Sequence, residues 1–475
     1  MSLHQSYDAI VVGSGPNGLA AAVTLQERGL QVLLMEAKET VGGGMRTAEL
    51  TLPGFRHDVC SAVHPMGAAS PFLRSLPLAD FGLEYIHPEI LAAHPFDDGT
   101  AAALYRSLNE TADGLGPDRD RYRRLLEPLV KQWPLIDTHI LGPMLKIPDN
   151  PFALAAFGLK SLQSGRRIAG RFQTREARGL WSGIVAHSMI PLEALTSSAI
   201  AFVLTIAGHR GGWPIPKGGS QAIANALVAY FRELGGTIRT NAPVAAFSDL
   251  PEAKAVLFDV SPRQLLQICG DRLSSVYRWQ LRRHKYGMGV FKIDWALSEP
   301  VPFKAPEARK AGTVHLGGTF EEVADGERKV WQGKHPDKPF VLFAQPSIFD
   351  NSRAPAGKHT GWAYCHVPNG SSNDMTKAIT DQMERFAPGF QDTILATHTF
   401  NTAEMEAYNP NYIGGDINGG VVNIIQLFNR PALRFSPYRT SARGVYICSA
   451  STPPGGGVHG MGGYYAALQA LKDVF

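Results

Sequence analysis

The stretch "YDAIVVGSGPNGLAAAVTLQERGLQVLLMEA", beginning at Tyr7, restricts the possible folds more than any other. Tyr7–Val12 is a short apolar run, expected of a strand buried on both faces. Gly13, Ser14, Gly15, Pro16, Asn17 and Gly18 then form a GxGxxG turn. "LAAAVTLQERG" favours a helix and stops at Gly29, a C-cap residue, and "QVLLME" is the second strand. A GxGxxG alone says little. Between a strand and a helix, with Glu36 at the tip of the next strand, it predicts a dinucleotide-binding turn. Gly13 permits the tight turn. Gly15 lets N–H groups approach a diphosphate at the positive end of the helix dipole, and Gly18 allows close helix–strand packing. Glu36 is placed to accept hydrogen bonds from ribose hydroxyls, which disfavours a 2′-phosphate and hence NADP.

A second αβ unit follows in "WPIPKGGSQAIANALVAYFRELGGTIRTNAPVAAF". Lys217, Gly218, Gly219 and Ser220 precede an amphipathic pattern of Ile223, Leu227, Phe231 and Leu234; Gly235 and Gly236 stop it, and "TIRT" opens a strand. "AKAVLFDVS" reads as another buried strand. A third unit is the strand "GVYICSAS", then an open glycine loop and a helix. The expected fold class is α/β: one discontinuous Rossmann-type domain from residues 1–85, 211–285 and 416–475, plus a mixed α+β substrate domain from 86–210 and 286–415. Residues 86–210 read as mostly helical, whereas "GVFKIDWAL" and "FVLFAQPSI" read as strands.

Composition narrows the function classes. With 475 residues, 44% hydrophobic and 19% charged, the chain suits two to three domains with large cores. A net charge of +4 gives no basic footprint of the kind nucleic acids require, so no nucleic-acid partner is expected. Cys60, Cys269, Cys365 and Cys448 form no CxxC pair and suit no zinc site; free thiols in a reducing compartment and no metal are expected. The N-terminus lacks a basic region leading into an apolar core and cleavage site, which points to a cytoplasmic protein. No run of about 18 clean apolar residues occurs. The nearest, Leu192–His209, is expected as a buried helix, or as an interfacial or channel helix. Arginines cluster at Arg119, Arg121, Arg123 and Arg124 and at Arg166, Arg167 and Arg171. Solvated helix faces, or peripheral contact with an anionic membrane surface or an acidic partner, account for them.

"EAKETVGGGMRT" chooses between dinucleotides. With Glu36 followed by the pair Gly42 and Gly43, the chain resembles the flavoprotein family of amine oxidases, phytoene desaturases and relatives. In that family an arginine directly follows the pair. Here Gly44 stands in its place and Arg46 comes two residues later, as in the phytoene desaturase branch, so both remain candidates for that contact. The resemblance implies FAD, held by Glu36, Ala37, Gly43, Gly44, Met45 and Arg46 besides the first loop. "GVYICSASTPPGGGVHGMGGYYAALQAL" resembles the closing motif of phytoene desaturase-like proteins. It implies that Ser449 and Ala450 bring backbone to the diphosphate and ribityl chain. It puts Gly457, Val458, His459 and Met461 by the isoalloxazine, with the last helix aimed at the pyrimidine end, which favours the reduced anion. It further implies Val244 on the adenine side, and Ser61 and His64 near the flavin.

Lys292 lies on "GVFKIDWAL", which resembles the amine oxidase strand whose lysine approaches flavin N5 through a water. Lys292, His459 and His64 are therefore the catalytic candidates, with His315 a further one. An edge-strand lysine in solvent and packed core histidines are the structural alternatives. Tyr464 and Tyr465 are expected to pack. No GxSxG, HExxH, Walker loop or second GxGxxG after a strand occurs, so no NAD(P) domain is expected. The resemblance implies an FAD-dependent oxidoreductase of the phytoene desaturase-like group. Hydride would leave an activated C–H of a small apolar substrate for flavin N5, and oxygen or a quinone would take the electrons. Amine oxidation, a flavin-dependent isomerisation and a non-catalytic lipid-binding escort protein are the alternatives.

Overall fold

The computed structural model describes residues 6–475; residues 1–5, on which the expectation of no leader partly rests and which open the segment 1–85, lie outside them. The strands of the two main sheets are, in chain order, β1 (Tyr7–Val12), β2 (Val32–Met35), β3 (Ile90–Pro95), β4 (Ala101–Tyr105), β5 (Thr237–Arg239), β6 (Ala253–Phe258), β7 (Gly289–Leu297), β8 (Ala311–Leu316), β9 (Val341–Ala344), β10 (His359–Val367), β11 (Ile394–Phe400) and β12 (Val445–Ile447). The helices that frame the site are α1 (Pro16–Gln26), α2 (Pro151–Ser161), α3 (Ser197–Gly211), α4 (Gln221–Glu233), α5 (Ile424–Phe428) and α6 (Met461–Val474).

The first sheet is parallel throughout, in the order β12-β6-β1-β2-β5. Its strands read as apolar runs because both faces are covered. Ala9 and Val11 belong to the core shared with α1 and α6, while Ile10 and Val12 join Leu265 and Tyr277 on the other face. That is the two-residue alternation of a strand. The alanines of α1 allow close approach, and α6 crosses α1 so tightly that a Cβ on Gly463 would sit 1.7 Å from the Asn17 carbonyl oxygen. This crossing carries the last glycine loop to the side of the first.

The second sheet runs β11-β7-β10-β9-β8-β3-β4, antiparallel except for the β8–β3 pair. Residues 86–210 therefore open with two strands rather than helix, and these join strands from 286–415 in one sheet. The β3 sequence, "ILAAHP", holds two alanines of low strand propensity. Its pairing on both sides, with β8 and β4, decides its conformation. β9 stops at Ala344, short of "QPSI", where Pro346 opens a 3-10 turn. The apolar stretch at 192–209 becomes α3, which begins only after Thr196 in a left-handed conformation (φ 72°). No helix among the described residues is long and apolar enough to cross a membrane.

Candidate active site

A cavity of about 900 Å³ lies beyond the carboxyl ends of the parallel strands, under one face of the second sheet. This is where open α/β sheets bind ligands, and the volume suits a large cofactor plus a substrate. Gly13, Ser14, Gly15, Pro16, Asn17, Glu36, Ala37, Gly43, Gly44, Arg46, Ser61, His64, Val244, Ser449, Ala450, Gly457, Val458 and His459 all line it. Gly18, Met45, Met461 and Lys292 are not on its wall.

Gly18 is needed behind the first loop: a Cβ there would fall 1.9 Å from the Gly13 carbonyl oxygen. Gly43 (φ +55°) brings the second loop against the first, its Cβ position only 2.9 Å from the Gly15 Cα. The two loops thus form one cradle with no room for side chains. Glu36 accepts from the Ser14 and Lys38 amides at 3.0 and 2.9 Å and from the Arg46 guanidinium at 3.1 Å. Arg46 also donates to the Thr40 carbonyl at 2.6 Å, so the buried guanidinium fixes the carboxylate in place. A Cβ on Gly44 would meet the Tyr412 hydroxyl at 2.6 Å; an arginine has no space there. Met45 is buried in the core beneath the turn.

In the last loop, His459 Nδ1 accepts from the Met461 amide at 3.0 Å, and its Nε2 faces the Gly455 carbonyl at 3.2 Å. Burial holds its pKa down at about 4, so the imidazole is neutral. It caps α6, whose N-cap, Gly460 (φ +69°), has no side chain to do so. Met461 is buried in the core. Ala450 presents its carbonyl to the Arg430 guanidinium at 2.8 Å, and the Ser449 hydroxyl accepts from the Ser451 amide at 3.2 Å. His64, also buried and lowered to about 4, bonds the Ser220 hydroxyl at 2.7 Å. Ser220 in turn donates to the Ser61 carbonyl at 2.5 Å. Tyr464 packs on Phe72 and Tyr465 stacks on Tyr438.

Lys292 does not sit on a solvent-facing edge. β7 lies between β11 and β10, and the lysine is 2% exposed. It makes an ion pair with Asp294, two residues on and hence on the same face. Its ammonium lies 5.9 Å from the ring centroid of Trp362, and Lys292 pairs across the strands with Tyr364; both aromatics line the cavity. Burial pushes Asp294 up to about 6, against the pull of the lysine. His315 is fully buried and bonds His187, which does line the cavity, at 2.9 Å.

Several wall residues escaped the sequence reading: Asp259, His187, Trp362, Tyr364, Tyr408 and Tyr412. Asp259 alone left a signal, a polar residue ending a buried strand at the edge where the ligand crevice opens. Its carboxylate accepts from the Gly18 amide at 2.9 Å, and burial lifts its pKa to about 7. The charged groups on the wall are Glu36, Lys38, Arg46 and Asp259, all in the half built by the first sheet.

Touching glycine loops, an anchored acidic residue beyond β2 and a groove lined on its far side by the last glycine loop define a dinucleotide-binding oxidoreductase fold. The model of the flavin containing amine oxidoreductases matches residues 17–265, more than half of the chain. The chain belongs to that family. It is 24% identical to the mouse pyridine nucleotide-disulfide oxidoreductase domain-containing protein 2, over 99% of this chain and 94% of that protein. It is 23% identical to a lycopene-forming phytoene desaturase of a Paracoccus species, over 96% and 95%. An oxidoreductase from Methanosarcina mazei shares the fold with a TM-score of 0.67 at 16% identity, covering 98% of this chain and 99% of that one. FAD is the cofactor, and the residues present fit it: the glycine cradle admits backbone only, and the Glu36 carboxylate lines the groove beside it.

Proposed function

We propose that this protein is a flavin-dependent dehydrogenase of the desaturase kind, acting on an apolar substrate drawn from a lipid surface. The observation that carries this reading is the uncharged half of the cavity. Its wall includes Leu154 and Phe157 of α2, Ile200, Val203 and Leu204 of α3, and Leu427 and Phe428 of α5. The α3 residues recur at helical spacing, so a single face of a buried helix makes that wall. An ammonium group entering there finds no carboxylate among the described residues, whereas a hydrocarbon chain meets apolar side chains throughout. The likeness to a phytoene desaturase adds support.

Bound FAD supplies a two-electron acceptor. The chain's residues grip its diphosphate, exclude water from the reacting carbon and hold the substrate against the ring. Loss of a hydride and a proton from adjacent carbons leaves a C=C bond. His139 and His187, both kept neutral by burial, stand on the cavity wall as proton acceptors. Oxygen or a quinone then accepts the electrons. Anaerobic mixing tests the assignment: an apolar polyene is expected to bleach the visible flavin band and simple amines are not. Bleaching by an amine alone would reverse it.

The mouth of the cavity supports the lipid source. Leu162 and Phe428 both line the cavity and are 41% and 46% exposed, which marks its opening. In the segments of chain flanking wall residues, Ile147 and Phe152 are each 87% exposed, with Leu159, Leu195 and Ile425 also bare. Lys146, Lys160, Arg166, Arg167 and Arg171 lie in the same stretch of chain. Large bare apolar side chains with a basic fringe suit an anionic bilayer surface. The protein is expected to float with phosphatidylglycerol vesicles in a density gradient. Phe152→Asp is expected to weaken binding roughly tenfold or more, the effect of withdrawing one large side chain from lipid, with flavin content unchanged. Equal flotation of both proteins, or none of either, would rule the surface out.

A further inference from the structure

We propose that Asp259 makes FAD retention proton-linked: its carboxyl group shares the amides at the N-terminus of α1 with the cofactor's diphosphate and takes up a proton as the diphosphate binds.

Asp259 directly follows β6, and its own amide donates to the Val12 carbonyl at 2.8 Å, beside the first glycine loop. Its Oδ2 accepts from the Gly18 amide at 2.9 Å, and the Gly15 amide is a second donor to it. The cap of α1 therefore comes from a strand 241 residues away. The reason is local: the N-cap is Gly15, which has no side chain, and Pro16 has no N–H. The carboxylate and the loop touch closely, for a Cβ on Gly15 would sit 2.6 Å from Oδ2. These amides, which have no partner within the helix and lie at the positive end of its dipole, are what a glycine loop offers a diphosphate. One anion already draws on them.

The groups facing Asp259 do not offset a second anion. Glu36, beyond β2, is a like charge and raises its pKa, while Arg46 is engaged with Glu36 and Thr40. Cys448, beyond β12, is a buried thiol whose pKa burial drives well up. The loop at 409–411 contributes Asn411, which is uncharged and donates to the Asp259 carbonyl at 3.2 Å. No lysine, arginine or histidine forms an ion pair with it among the described residues. Burial has already brought the group to about 7. Two negative phosphates alongside raise it further, so a carboxylate that is part-ionised in the free site becomes neutral in the loaded one. A neutral carboxyl still accepts from Gly18 and can donate its proton to a phosphate oxygen.

The sign follows. Below about pH 7 the carboxyl is protonated in both forms, and affinity is level. Above that pH each binding event takes up a proton, so the dissociation constant rises by up to about tenfold per pH unit. The experiment dilutes the holoprotein across pH 6–9 and follows the fluorescence of released FAD. The wild type is expected to give a level dissociation constant below neutrality and a rise approaching tenfold per unit above pH 7.5. Asp259→Asn, which keeps an acceptor for Gly18, is expected to remove that rise. A level profile in the wild type, or the same slope in both proteins, would overturn the proposal. A second measurement needs no variant. Infrared spectra of holoprotein labelled with ¹³C at the aspartate side-chain carboxyl should retain a protonated-acid band at pH 8, and removal of FAD at that pH should abolish it. Absence of the band from the holoprotein would overturn the proposal equally.

Discussion

Gly15→Val yields a colourless protein. Gly15 has φ −67°, so valine meets no backbone penalty there; the obstacle is space. The first branch point already falls 2.6 Å from the Asp259 carboxylate, and the second loop lies so near the same backbone that a Cβ on Gly43 would sit 2.9 Å from the Gly15 Cα. A branched side chain forces the two loops apart or fills the diphosphate seat. Overpacking of this kind costs about 1–3 kcal/mol. Each charge-assisted hydrogen bond from an amide that the diphosphate then fails to make costs about 1.5–3 kcal/mol more. Together these predict an affinity for FAD lower by roughly 100-fold or more, since 1.4 kcal/mol is a factor of about ten. The ratio of visible flavin absorbance to protein absorbance reads the effect, and far-ultraviolet circular dichroism checks that the fold persists. Normal flavin content in the valine protein would dismiss the cradle.

Lys292→Ala destabilises the fold strongly, and does so in a pH-dependent way. Removing the ammonium leaves Asp294, which is fully buried, without its principal partner. Stranding one member of a buried pair costs about 3–5 kcal/mol. Asp294 has a folded-state pKa of about 6, raised above the unfolded value by burial, so the folded chain holds that proton more tightly. Its contribution to stability is complete below the unfolded pKa and is lost as pH rises through about 6. Without the lysine the pKa rises further, so the deficit is largest at pH 8 and small near pH 5. Urea unfolding at both pH values measures it, and adding Asp294→Asn should restore most of the stability at pH 8. A deficit equal at both pH values and untouched by the second change would refute the pairing. In the restored double variant, stopped-flow re-oxidation then reads whether Lys292 also acts on the flavin.

What was legible followed from local pattern. The GxGxxG turn, Glu36, the second glycine pair and the closing loop are each written in a few adjacent residues, and the wall they form is readable from the sequence. Asp259 left only the signal of a polar residue ending a buried strand, because its contact is with a helix 241 residues earlier. Nor are β3 and β4 legible, whose alanine-rich sequences become strands only through partners far along the chain. Lys292 lies between these cases. The two-residue spacing to Asp294 places both on one face of a strand, a regularity that the reading of Lys292 as catalytic or as a solvent-facing edge residue did not use.

The crossing of α1 and α6 joins Asn17 to Gly463 across 446 residues of chain. The flavin compartment consequently cannot close until both of these distant segments have been made and brought together. Pairings between such distant segments slow folding and leave apolar surface bare meanwhile. Nascent molecules should therefore depend on chaperone holding until α6 has docked on α1, and flavin starvation should lower the abundance of the protein before it lowers the activity of each surviving molecule.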